Sequence, residues 1–177
     1  MAGLSKYERD LRARLRDPTL WPDFDRPNFL QRLDAVAAGA LRKATVEGHL
    51  AAILIYHQLV EEMVRLLIRD SQFLVQVALR PWPIEFPPRR KQVFGQLQQE
   101  LRESVAFSHK DRFLAVTDRI NAIRVDVVHK LTRRGSLSGL RRDALKARRL
   151  YERAYSIFDD VHDGFRVDLH GFRKDLS

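Results

Sequence analysis

Residues 45–70 read TVEGHLAAILIYHQLVEEMVRLLIRD, and this stretch decides the fold class. Leu50, Ile53, Leu54, His57, Val60, Val64 and Leu67 recur at steps of three and four, the period of one helix face. Ala51, Ala52, Ile55 and Leu59 widen that face until most of the circumference is apolar. A helix this apolar must be surrounded by other elements, so the spacing predicts the central helix of a bundle. Thr45 suits the N-cap, because its hydroxyl can accept an unpaired amide of the first turn, and Glu47 complements the helix dipole. The pattern is expected to end near Arg69-Asp70.

Working outward, SKYERDLRARLR (residues 5–16) predicts a short polar helix, interrupted by Asp17-Pro18 and Trp21-Pro22. Asp25-Arg26-Pro27 starts another, carrying Phe29, Leu30, Leu33, Val36 and Leu41 at helical spacing. Beyond the central helix, residues 71–80 predict a further short helix. RPWPIEFPPRR (80–90) then predicts an extended connection, because proline lacks an amide donor and clashes with a preceding helical turn. A helix over Lys91–Glu103 would turn Val93, Phe94, Leu97 and Leu101 inward. The next would begin at Ser108 or Asp111 and run to Leu131 on a seam of Phe113, Val116, Ile120, Ile123 and Val127. RRGSLSGLRRD (133–143) reads as a loop. A last helix is expected from about Asp143 to Phe158 or beyond, with Leu145, Leu150, Tyr151, Ala154 and Phe158 inward. No run alternates as a strand does. The expectation is an all-α helical bundle of five to seven helices forming one domain over 1–177. Residues 1–26 would be an N-terminal appendage, and 131–177 a basic loop and C-terminal helix.

Composition narrows the chemistry. Among 177 residues there is no cysteine, which removes disulfides and thiolate metal sites and fits a reducing, cytoplasmic setting. The longest apolar stretch, Leu50–Tyr56, is far short of the ~20 residues a bilayer span requires, and the N-terminus reads as no signal peptide. No membrane partner is expected. The formal net charge is +9, and an acidic partner such as nucleic acid follows as one reading, simple solubility as the other. From Leu131 to Arg153 the basic residues are Arg133, Arg134, Arg141, Arg142, Lys146, Arg148, Arg149 and Arg153, opposed by Asp143 and Glu152 alone.

The six histidines carry no metal signature. His49 and His57 lie eight residues apart, about 12 Å along a helix axis, and neither HExxH nor a Glu-x-x-His pair occurs. No metal or cofactor is expected, and His57 reads as a hydrogen-bonded core residue. The segment DRINAIRVDVVHKL (118–131) is more informative. Arg124 and His129 are separated by four residues, and five helical steps rotate them about 140° apart. They can converge on one phosphate if the helix end distorts, or across a two-fold axis. Asp126, three residues before His129, can orient its imidazole. An ordinary structural role is the alternative: Arg124 paired with Asp118 or Asp126, and His129 ending a helix where a cation suits the dipole.

This segment, with EGHLAAILIYHQLVEEMVRLLI before it and FGQLQQEL leading into it, resembles the HEPN superfamily over about residues 45–135. These are small helical bundles with an Arg, four to six residues and a His near the end of a late helix. The resemblance implies a homodimer and, in active members, a metal-independent endoribonuclease, often a toxin with an antitoxin partner or a phage-defence effector. By that analogy His129 moves a proton at the ribose 2′-hydroxyl, and Arg124 positions the scissile phosphate. Lys130, Arg133, Arg134, Arg141 and Arg142 would hold the RNA substrate. The sequence departs from the family at Val125, where many active members carry a polar residue, often Asn. That departure keeps a second reading open: a non-catalytic HEPN-like module binding a protein or nucleic-acid partner. A DNA-binding regulator ranks third, since no helix-turn-helix is evident.

Overall fold

The computed structural model describes residues 4–87, 92–131 and 137–175. Among these the chain is all-helical, with six α-helices: α1 (Lys6–Arg16), α2 (Pro27–Lys43), α3 (Val46–Ala78), α4 (Phe94–Glu103), α5 (Lys110–Lys130) and α6 (Leu140–Lys174). A single 3-10 turn, Pro18–Leu20, separates the first two.

The helix read from residues 45–70 is the centre of the bundle. Thr45 caps it as expected, its Oγ1 accepting from the Gly48 amide at 3.1 Å. It continues for 33 residues, past the expected end, and absorbs the separate short helix read over 71–80. Asp70 and Ser71 look like a stop, yet both are buried and bonded away from the helix's own backbone. Asp70 meets His162 on α6, and Ser71 Oγ accepts the Val105 amide at 3.2 Å. The extension buries Phe73 and Val77. Only at Leu79–Pro81 does proline chemistry end the helix.

Two contacts set the direction of α6. Tyr56 stacks on Tyr151 at a centroid distance of 4.9 Å, and Asp70 pairs with His162. Both chain numbers rise together, so α3 and α6 run parallel along the core. The last helix is therefore integral to the bundle, starting at Leu140 and running well beyond Phe158. Leu150, Tyr151, Ala154 and Phe158 turn inward as expected, whereas Leu145 is 40% exposed and faces solvent. Helix α5 returns antiparallel: its Thr117 meets Gln98 on α4, and Asn121, one turn later, meets His57. Helix α2 reaches α3 through a turn in which Ala44 takes a left-handed conformation. The two helices approach so closely that a Cβ at Gly48 would lie 2.3 Å from the Ala40 carbonyl oxygen.

The N-terminal residues form a second small core across one end. Leu11, Leu15 and Trp21 bury against Phe73, Val77 and Leu169. Beside them lies a polar junction. His162 Nδ1 donates to Asp70 Oδ2 (2.7 Å), while Arg166 Nε donates to His162 Nε2 (3.4 Å) and its terminal nitrogen to the Pro22 carbonyl (2.7 Å). The second contact fixes the tautomer, because Nε2 accepts and Nδ1 carries the hydrogen. Burial raises the Asp70 carboxyl above its ordinary pKa, and the His162 hydrogen bond opposes that rise. Arg69 completes the junction by donating to Asp25 Oδ1 (2.6 Å) and the Asp23 carbonyl (2.7 Å).

Candidate functional site at the end of α5

The apolar seam read in the sequence holds α5 in place. Phe113, Val116, Ile120, Ile123 and Val127 are all buried. The helix begins after His109, which takes a left-handed conformation, and Lys110 closes the preceding helix end. Its ammonium donates to the carbonyls of Arg102, Ser104 and Val105, the unpaired acceptors at the end of α4. Desolvation there lowers the Lys110 pKa.

With the seam turned inward, the orientation of the candidate residues is fixed. Arg124 is half-buried and His129 is exposed in the last turn. On a regular helix they stand about 140° apart and about 7.5 Å along the axis. One chain therefore does not bring them to a common face. They border an outward strip instead, whose middle carries Val125 (37% exposed) and Val128 (45% exposed). Asp126 Oδ1 is 3.2 Å from Lys130 Nζ, one turn on, so at least one carboxylate oxygen is engaged by that lysine. Arg141 and Arg142 are exposed in the first turn of α6. Arg133 and Arg134 lie outside the described residues.

Behind Arg124 is an arrangement the sequence hinted at only in part. His57, on the apolar face of α3, is buried, and its Nε2 donates to Asn121 Oδ1 at 3.2 Å. Its ring also packs on Phe94 at 4.7 Å. Burial pushes the His57 pKa below 6.5, the Asn121 bond and Glu61 oppose this, and Arg124 adds to the lowering. Burial and the Arg124 charge thus both favour the neutral form of the imidazole. The core-histidine reading of His57 holds. Asn121 was given no role in the sequence reading, since nothing in the α5 pattern marks a polar residue that faces another helix.

The Asp70–His162–Arg166 junction was also missed. Its only sequence signal is a charged residue closing an apolar run, which more often marks a helix end. It sits at the opposite end of the bundle from Arg124. So does a cleft of about 1010 Å³, lined by Gln72, Gln96, Gln99, Glu100 and Ser104 among others. Neither is built around the candidate pair. Among the described residues no group of three or more His, Asp or Glu side chains is placed to hold a metal ion, and no helix is long and apolar enough to cross a membrane. Set against protein-family models, curated proteins and solved structures, the chain gives no match.

Proposed function

We propose that the chain is a HEPN-like, metal-independent endoribonuclease whose site is completed by a second copy. The observation that carries this reading is the outward strip of α5. Arg124 and His129 lie on its two borders, and exposed Val125 and Val128 lie between them. Two α5 helices packed strip to strip about a two-fold axis bring Arg124 of one copy toward His129 of the other, while the valines lose their contact with water. The chemistry then needs only these groups. His129 takes the proton from a ribose 2′-hydroxyl, whose oxygen attacks the adjacent phosphorus. The 5′-oxygen leaves with a proton, and a 2′,3′-cyclic phosphate remains. The Arg124 guanidinium stabilises the phosphate oxygens as negative charge builds on them. A toxin or defence role, with an antitoxin or other protein partner in a reducing cytoplasm, belongs to the same reading.

Complementation tests the shared site. Arg124→Ala and His129→Ala should each be inactive, while a refolded mixture of the two should recover roughly a quarter of parental cleavage. Half of randomly formed pairs are mixed, and each mixed pair holds one intact Arg–His combination of two. A mixture as inactive as its components sinks the shared site.

One observation favours a second reading, the non-catalytic module. The position after Arg124 is an exposed valine, and the nearest amide on α5, Asn121, is committed to His57. Binding of an RNA or protein without cleavage by the parent chain would establish that alternative.

A further inference from the structure

The first half of α6 separates its charges in a way that the run of basic residues alone does not reveal. Arg142, Lys146, Arg149 and Arg153 follow one another at steps of four, three and four, so on a regular helix they occupy a sector about 60° wide. All four are exposed, and among the described residues none forms an ion pair. Their neighbours are sorted differently. Arg148 lies off this line and is paired with Glu152 at 2.8 Å. Continued along the helix, the line meets Ser156 and then exposed Asp160. The result is a row of four unneutralised cations about 16 Å long, closed by an acid at its far end.

We infer that this row is a track for the phosphodiester backbone of a single RNA strand. The inference deepens the ribonuclease reading and rests on it for the choice of RNA. The row begins at the end of the bundle where α5 finishes, so a strand lying on it is led toward Arg124 and His129. The chemistry of the row favours a strand over an acidic protein. A stable protein interface needs a desolvated apolar or aromatic anchor at its centre, and this sector contains none; Leu145 lies at its flank. Long flexible cations spaced roughly 4.5–6 Å apart along the axis match a chain of successive single charges. No aromatic side chain stands in the row, so the contact is to phosphates and is indifferent to base sequence. Asp160 repels the strand where the track stops.

Binding of a fluorescein-labelled oligouridylate, measured against salt concentration in a His129→Ala background, tests the track without cleavage. With four cations engaged, log affinity against log salt should fall with a slope near −3, about −0.7 per phosphate neutralised. Lys146→Gln or Arg149→Gln should each flatten the slope by about 0.7. The fourfold Gln variant should lose most of its affinity while keeping the parental melting temperature, because all four side chains are exposed. An unchanged slope in the fourfold variant overturns the track. So does equal competition by polyglutamate, which marks the row as a generic polyanion or acidic-protein surface. A parent chain that binds along this row but never cleaves refutes the enzyme and leaves the track standing.

Discussion

His57 is surrounded on every side that matters for its charge. Its ring is buried between Asn121 and Phe94, with Arg124 near enough to repel a proton. Its pKa therefore lies below the ordinary 6.5. Well above 6.5 the imidazole is neutral in both folded and unfolded chains and adds no pH dependence. As the pH falls below 6.5 the unfolded chain takes up a proton that the folded one refuses, so stability is lost, at most by about 1.4 kcal/mol per pH unit. His57→Gln keeps a donor for Asn121 but does not titrate. Its melting temperature should decline less than the parent's between pH 6.5 and 5, and parallel declines would show that other groups govern the acid limb. At this scale the sequence was legible where type and period agree: a histidine on an apolar stripe is a core residue. Asn121 and Arg166 were not, because their roles are set by partners 64 and 144 residues distant.

Helix boundaries show a similar division. The start of α3 was readable, since Thr45 supplies a local signal and the cap hydrogen bond is local. Its end was not. The extension through Asp70 and Ser71 is held by His162 and Val105, contacts that local propensity does not encode. Leu145 errs in the other direction, an apolar residue carried on the solvent side of a basic helix. The approach of α2 to α3 gives a contrast between two glycines. Gly48→Ala places a methyl against a backbone carbonyl that cannot swing aside. It should cost about 1–3 kcal/mol. Gly164→Ala meets nothing within 4 Å on α6 and should instead stabilise by about 0.5–1 kcal/mol through helix propensity. Chemical denaturation of both variants checks the pair, and a harmless Gly48→Ala would mean the two helices can separate at little cost.

At the scale of the molecule, the two ends of the bundle differ in kind. One is locked by α1, the small second core and the Asp70–His162–Arg166 junction. The other carries Arg124, His129, Lys130 and the row of cations on α6, all at or near the surface. The all-helical class was legible because periodicity reports which face is buried. The exposure of Val125 and Val128 was not, since in sequence they look like any other apolar residues of a helix. The most direct test of the ribonuclease reading is RNA cleavage in EDTA by the freshly purified parent beside His129→Ala. Ribonuclease action predicts cyclic-phosphate ends from the parent and none from the variant, with both chains equally helical. Equal cleavage by the two, or none by the parent across tRNA and mRNA, would contradict it.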